Sequence, residues 1–209
     1  TLVTIPMIVD KASVSWQFDI EQLFRVVNVN TKLIVLNAPH NPTGACLSEQ
    51  QQQQVLKLAQ QFGCYLLSDD VSQASHYQLA SAQSASERLN SSQPTKLQSN
   101  QHQSNKQPHI EQSTSVSMDL SALSHPFLDY EKTVSVGVMS KSFGLGGVRI
   151  GWALTKDEQL SNALLGQKAQ TSICTSLTDE VLATIALNHA DKIIGDINTI
   201  AKQNIALFN

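Results

Sequence analysis

Lys141 and Arg149 stand eight residues apart in the run Val138-Met139-Ser140-Lys141-Ser142-Phe143-Gly144-Leu145-Gly146-Gly147-Val148-Arg149-Ile150-Gly151-Trp152. One amine and one guanidinium, held by small residues that let backbone approach a ligand, suit a phosphate together with a reactive lysine. Two nucleotide-binding patterns fail here. Gly144-x-Gly146 follows a strand-like run, but Arg149 occupies the place of the third glycine of a dinucleotide loop. Lys141 precedes the glycines, whereas a Walker loop needs its lysine after them. Two other segments carry polar groups of interest. Asn37-Ala38-Pro39-His40-Asn41-Pro42-Thr43-Gly44 is a rigid turn in which an Asn-Pro bond could be held cis to aim a side chain. Taken alone, such a turn is more often an ordinary strand-to-helix connection. Ser68-Asp69-Asp70-Val71 sets two carboxylates side by side. They could face opposite ways, one solvated and one capping. A carboxylate at the carboxyl edge of a central strand is nevertheless poorly solvated and wants a cation, such as a protonated heterocycle nitrogen.

The elements that must position these groups follow from apolar spacing. Residues 2–9, 32–36, 64–67, 133–138 and 150–154 are short runs with the look of strands, the first two rich in Val and Ile. Ile20, Leu23, Phe24 and Val27 have helical spacing behind Asp19 and Gln22, which resemble a capping box. Ser48 with Gln51 predicts a second helix whose buried stripe is Val55, Leu58, Ala59 and Phe62 and whose end is capped by Gly63. The glutamines at 50–54 then form its solvated face. From Thr178 a stripe of Val181, Leu182, Ile185 and Ala186 is continued by Ile194, Ile197, Ala201 and Ile205. Strands alternating with helices predict an α/β fold with a central, mostly parallel sheet flanked by helices. Ligands in such folds gather beyond the carboxyl ends of the strands, which are the places after Leu36, Leu67 and Val138.

Composition excludes several classes. Lys+Arg 14 against Asp+Glu 17 gives a net charge of -3, so no basic footprint marks a nucleic acid or membrane surface as partner. No apolar run approaches the roughly 20 residues of a membrane span. Cys46, Cys64 and Cys174 are scattered and odd in number, which predicts a reducing, cytoplasmic setting and no disulfide framework. Gln and Ser make up 46 of the 209 residues, and the excess is concentrated: 20 of the 37 residues at 81–117 are Ser, Gln or Asn. With so few apolar residues that stretch cannot offset its ordering entropy, and a flexible surface insert is expected. His102, His109 and His125 in or near it match no metal-ligand spacing, so no metal site is expected.

Asn41-Pro42-Thr43-Gly44, then Ser68-Asp69-Asp70-Val71, then Ser140-Lys141-Ser142-Phe143-Gly144 with Arg149 and Gly151, resemble in type and order the class I/II aminotransferases. These are pyridoxal-phosphate enzymes of fold type I. The resemblance implies that Lys141 attaches the cofactor aldehyde and afterwards moves a proton between the substrate Cα and cofactor C4′. It implies that Asp69 sits at the pyridine nitrogen, that Asn41 bonds the ring O3′, and that Arg149 pairs with the phosphate. Asp70 falls at a position that is often acidic in the family without touching the cofactor. Two departures stand out: Ser72 where a tyrosine is usual, and Val138 where Ser or Gly is common.

The resemblance also frames the whole chain. Residues 1–80 and 118–209 read as two parts of a cofactor-binding large domain interrupted by the insert at 81–117. The second part ends in a helix expected to lead to a small domain. The phosphate-cradling helix N-terminus and the substrate-gripping arginine are expected outside the chain, which by itself is expected to be inactive. The implied reaction is transfer of an amino group between an amino acid and a 2-oxo acid, by a protein that is a homodimer at full length. A lyase or amino-acid synthase of the same fold, or a non-catalytic fragment, are the alternatives.

Overall fold

The computed structural model describes residues 1–12, 15–73 and 126–207. The Ser/Gln-rich segment 81–117, with His102 and His109, and also His125, lies outside the described residues. Four strands form one sheet in the order β3-β4-β5-β6: β3 (Leu33–Asn37), β4 (Tyr65–Asp69), β5 (Thr133–Val138) and β6 (Gly151–Leu154). The first three are parallel and β6 is antiparallel to β5. Helices flank this mostly parallel sheet, as the sequence predicts.

Alternation along the strands builds the core. Ile34 and Leu36 of β3 and Leu66 of β4 point to one face, where they meet Val55, Leu58 and Ala59 of helix α2 (Glu49–Phe62). All of these side chains are buried. Removing such an apolar surface from water is the main drive for the layer to form. The ends of α2 are those expected. The Ser48 hydroxyl accepts from the Gln51 amide while the Gln51 side chain accepts from the Ser48 amide, and Gly63 adopts the left-handed conformation at φ 64°. The shorter helix α1 (Ile20–Val26) is capped by Asp19, whose carboxylate accepts from the Gln22 amide at 2.9 Å. It buries Leu23, and the Val27 that follows is buried too, while Phe24 is left largely in solvent.

Three expectations are corrected. The apolar run at 2–9 is not a buried strand. Only Ile8–Asp10 (β1) is extended, and it pairs antiparallel with Ser15–Gln17 (β2) outside the main sheet. The cause is local: Asp10 folds the chain back by accepting from the Ala12 amide at 2.9 Å, and Leu2 is left 87% exposed. The stripe from Thr178 faces the core only in part. Val181, Leu182 and Ile185 are exposed, whereas Ala186 of that stripe is buried, together with Ala183, in helix α4 (Leu177–Asn188). Small side chains there let the helix lie against Met139, Phe143 and Val148. Nor is that helix continuous to the end. It stops at His189, whose Nδ1 lies 2.8 Å from the Ile185 carbonyl, and α5 (Ala190–Ala206) begins anew.

One helix, α3 (Glu158–Thr171), has no counterpart in the sequence reading. None of its residues is buried, so it carries no apolar stripe to detect. Its N-cap, Asp157, accepts from the Leu160 amide at 2.9 Å and from the Tyr65 hydroxyl at 2.8 Å. These bonds, the amide first, hold the Asp157 carboxyl below its usual range, because both favour the ionised form. A carboxyl depressed in the folded state stabilises the fold above the ordinary carboxylate pKa of about 4, and that contribution is lost as pH falls through the folded value. Asp157→Asn still caps the helix but cannot titrate. Urea unfolding of this variant at pH 7 and at about pH 3 should therefore show a smaller acid-induced loss of stability than wild type.

Candidate active site

The strand register brings the chemistry-bearing residues to one edge. Asn37 lies beside Asp69, and Asp69 beside Val136, across the parallel strands. Because β6 runs antiparallel, Gly151 lies opposite Val138, so the loop between β5 and β6 leaves and returns at that same edge. Asn41 follows the end of β3, Asp69 is the last residue of β4, Lys141 follows β5, and Arg149 just precedes β6. All four therefore gather at the carboxyl ends of the parallel strands, the ligand-binding edge of open α/β sheets.

Asp69 is the most firmly held of them. Its Oδ2 accepts from Asn37 Nδ2 at 2.6 Å and its Oδ1 from the Val71 amide at 3.2 Å. The Asn37 Oδ1 in turn accepts from the Asn41 amide at 2.7 Å. One side chain thus ties the end of β4 to the turn that carries Asn41. In that turn the Ala38–Pro39 and Asn41–Pro42 peptides are both cis, and Gly44 takes φ 72° to bring its amide 2.7 Å from the His40 carbonyl. His40 Nδ1 lies 2.8 Å from the Thr43 hydroxyl. Asp70 is part-buried and turns to two serines rather than capping a helix. It accepts from the hydroxyls of Ser68 at 2.6 Å and Ser135 at 2.5 Å.

The lysine loop is anchored on both sides of Lys141. Met139, Ser142 and Phe143 are buried while Lys141 between them is exposed. The Met139 amide donates to the Ile150 carbonyl, the Leu145 amide to Met139 and the Gly144 amide to Lys141, each at 3.0 Å. Phe143 meets Trp152 edge-on with ring centroids 6.4 Å apart. Gly137 allows this, since a Cβ there would come 2.5 Å from the indole. The Lys141 ammonium makes no ion pair with any described residue. Arg149 is exposed in the left-handed region at φ 56°, a conformation costly for a residue with a Cβ. Its Nη1 donates to the Gly146 carbonyl at 3.0 Å, which leaves most of its five N–H groups to other partners. A Cβ at Gly147 would meet nothing within 4 Å, so the loop backbone there is open to an approaching anion. Among the described residues no group of His, Cys, Asp and Glu could hold a metal ion.

The structure thus brings all four sequence-predicted residues to one edge, with Asp69 and Asn41 linked through Asn37. Among the described residues no hydrogen bond or ion pair joins Lys141 or Arg149 to either. Asn37 itself was missed as a functional residue. Its partnership with Asp69 is set by the register of two parallel strands, which spacing along a single strand does not carry.

The sequence model of the family described as "Aminotransferase class I and II" matches residues 3–207. The chain belongs to that family. Capreomycidine synthase of Streptomyces vinaceus is 25% identical over 186 residues, 89% of this chain and 37% of that protein. Human kynurenine–oxoglutarate transaminase 3 is 23% identical over 172 residues, 82% of this chain and 30% of that protein. The solved structure of a PLP-dependent aminotransferase from Streptococcus suis 89-1591 superposes with a TM-score of 0.64 at 24% identity, covering 96% of this chain and 41% of that one. The chain therefore spans well under half the length of these relatives. Its α/β architecture is that of fold type I, and the family is one whose cofactor is pyridoxal phosphate.

The bridging role of Asn37 has a measurable cost. Asn37→Ala removes the charge-assisted donor to Asp69 and the acceptor for the Asn41 amide. Urea unfolding should show a loss of about 1.5–3 kcal/mol. An unchanged midpoint would mean that solvent replaces both bonds.

Proposed function

We propose that the protein to which this chain belongs transfers an amino group between an amino acid and a 2-oxo acid with the help of pyridoxal phosphate. The observation that carries this is the gathering of Asn41, Asp69, Lys141 and Arg149 at one sheet edge. The donor set fits the cofactor's chemistry. A half-buried carboxylate held by two donors is matched to a protonated ring nitrogen, a lysine with no ion pair among the described residues to an aldehyde, and an arginine beside open glycine backbone to a phosphate. When bound, pyridoxal phosphate supplies the electron sink that lets the substrate Cα–H bond ionise.

Each residue then has a role. Asp69 would keep the ring nitrogen protonated. Asn41 would hydrogen-bond the ring O3′, and Arg149 would pair with the phosphate. Lys141 would hold the cofactor covalently, and its freed amine would carry a proton between the substrate Cα and the cofactor C4′. Ser72, shorter than tyrosine, leaves the O3′ contact to Asn41, and the apolar Val138 leaves the phosphate to Arg149 and backbone. A homodimer of the full-length protein and a cytoplasmic location belong to the same reading. The odd number of free thiols, with Cys46 and Cys174 exposed, supports the latter.

A second reading keeps the cofactor and changes the outcome to elimination or amino-acid synthesis. The similarity to capreomycidine synthase favours it. The two readings separate in one assay. Full-length protein loaded with pyridoxal phosphate is given amino acids with and without a 2-oxo acid. Amino transfer that requires the 2-oxo acid, and that falls by at least about 100-fold in Lys141→Ala, is the expected result. Pyruvate or ammonia released without any acceptor would favour the second reading.

A further inference from the structure

We propose that Asp70 is a positioning residue that holds Asp69 in place through a strap beneath the sheet, an inference that rests on the pyridoxal-phosphate reading above. Ser68 and Ser135 are register partners on β4 and β5, and they are 1% and 3% exposed. Both hydroxyls converge on the Asp70 carboxylate, one on each oxygen. Buried hydroxyls need partners, and a carboxylate between two adjacent strands satisfies both at once while joining the strands. The Asp70 amide also donates to the Val136 carbonyl at 2.9 Å, one step past the last paired residue of β4.

These bonds act on the residue before. Asp69 ends its strand, where a chain would otherwise fray. The peptide that follows it is pinned by the Asp70 amide, bonded to the Val136 carbonyl, and by the Asp70 carboxylate, bonded to both serines. With its backbone fixed from that side and its carboxylate fixed by Asn37 from the other, Asp69 has little freedom to swing. Charge at a reacting group must be placed to within about 0.5 Å to be effective. The adjacent acids divide the work: Asp69 faces the ligand edge, and Asp70 faces the buried serines to keep it there.

The test uses full-length protein and three readouts: pyridoxal-phosphate affinity from its visible absorption, kcat and KM for the amino donor, and melting of the cofactor-free form. Asp70→Ala, and separately the double variant Ser68→Ala/Ser135→Ala, should each weaken cofactor binding and lower kcat by about tenfold while KM changes by less than about threefold. Asp70→Asn keeps a hydrogen-bonding partner for each hydroxyl and should stay within about threefold of wild type. The double variant keeps the question answerable should Asp70→Ala fail to fold. Variants that melt earlier yet bind cofactor and turn over normally would overturn the inference, because the strap would then serve stability alone. Asp70→Asn as damaging as Asp70→Ala would also overturn it, because charge rather than placement would matter. Wild-type protein that binds no pyridoxal phosphate would overturn the cofactor reading and this inference with it.

Discussion

The hydrogen bond from Asn37 to Asp69 crosses between the last residues of two parallel strands, and the arrangement of the site depends on the register that makes it possible. Were β4 shifted by one residue, every side chain would change face, and Asp69 would point toward α2 and the apolar core. Burial of Ile34, Leu36 and Leu66 against Val55, Leu58 and Ala59 forbids that shift. The core therefore specifies more than stability. It decides which of two neighbouring acids reaches the ligand edge, and Ser68 and Ser135 take up the other.

A second constraint governs the lysine. Lys141 is the exposed member of a segment whose flanks, Met139 and Phe143, are buried beneath it. Those flanks rest on Ala183 and Ala186 of α4, with Ile193 and Ile194 of α5 packed alongside. Side chains of alanine size permit the close approach, and the Phe143–Trp152 contact closes the arrangement over Gly137. Helices that look peripheral in the chain thus set the height of the loop from which the lysine projects. The left-handed backbone at Arg149 returns the chain to β6 on the same edge, a conformation that local preference would not select.

The sequence made the strand ends legible because they are short apolar runs followed by polar residues of definite type. Helix α2 was legible from its two caps and its stripe. The site residues could be named because three motifs fall in order after three strands. Other parts were hidden for physical reasons. The first apolar run satisfied its strand propensity in a local hairpin, which periodicity cannot distinguish from a sheet strand. Helix α3 buries nothing and so leaves no pattern. In α4 the large stripe residues Val181, Leu182 and Ile185 are exposed and only Ala186 of the stripe is buried, beside Ala183, so ranking residues by hydrophobicity put too much of the helix in the core. Asn37 and the serine strap were invisible because their meaning lies in register, which sequence spacing along a single strand does not carry.

The central claim is that Lys141 is where this edge of the sheet holds an aldehyde. Borohydride reduction of the full-length protein loaded with pyridoxal phosphate, followed by digestion and mass spectrometry, asks this directly. The account predicts a single reduced pyridoxyl group on the peptide containing Lys141. A label on another lysine, or none at saturating cofactor, would contradict it.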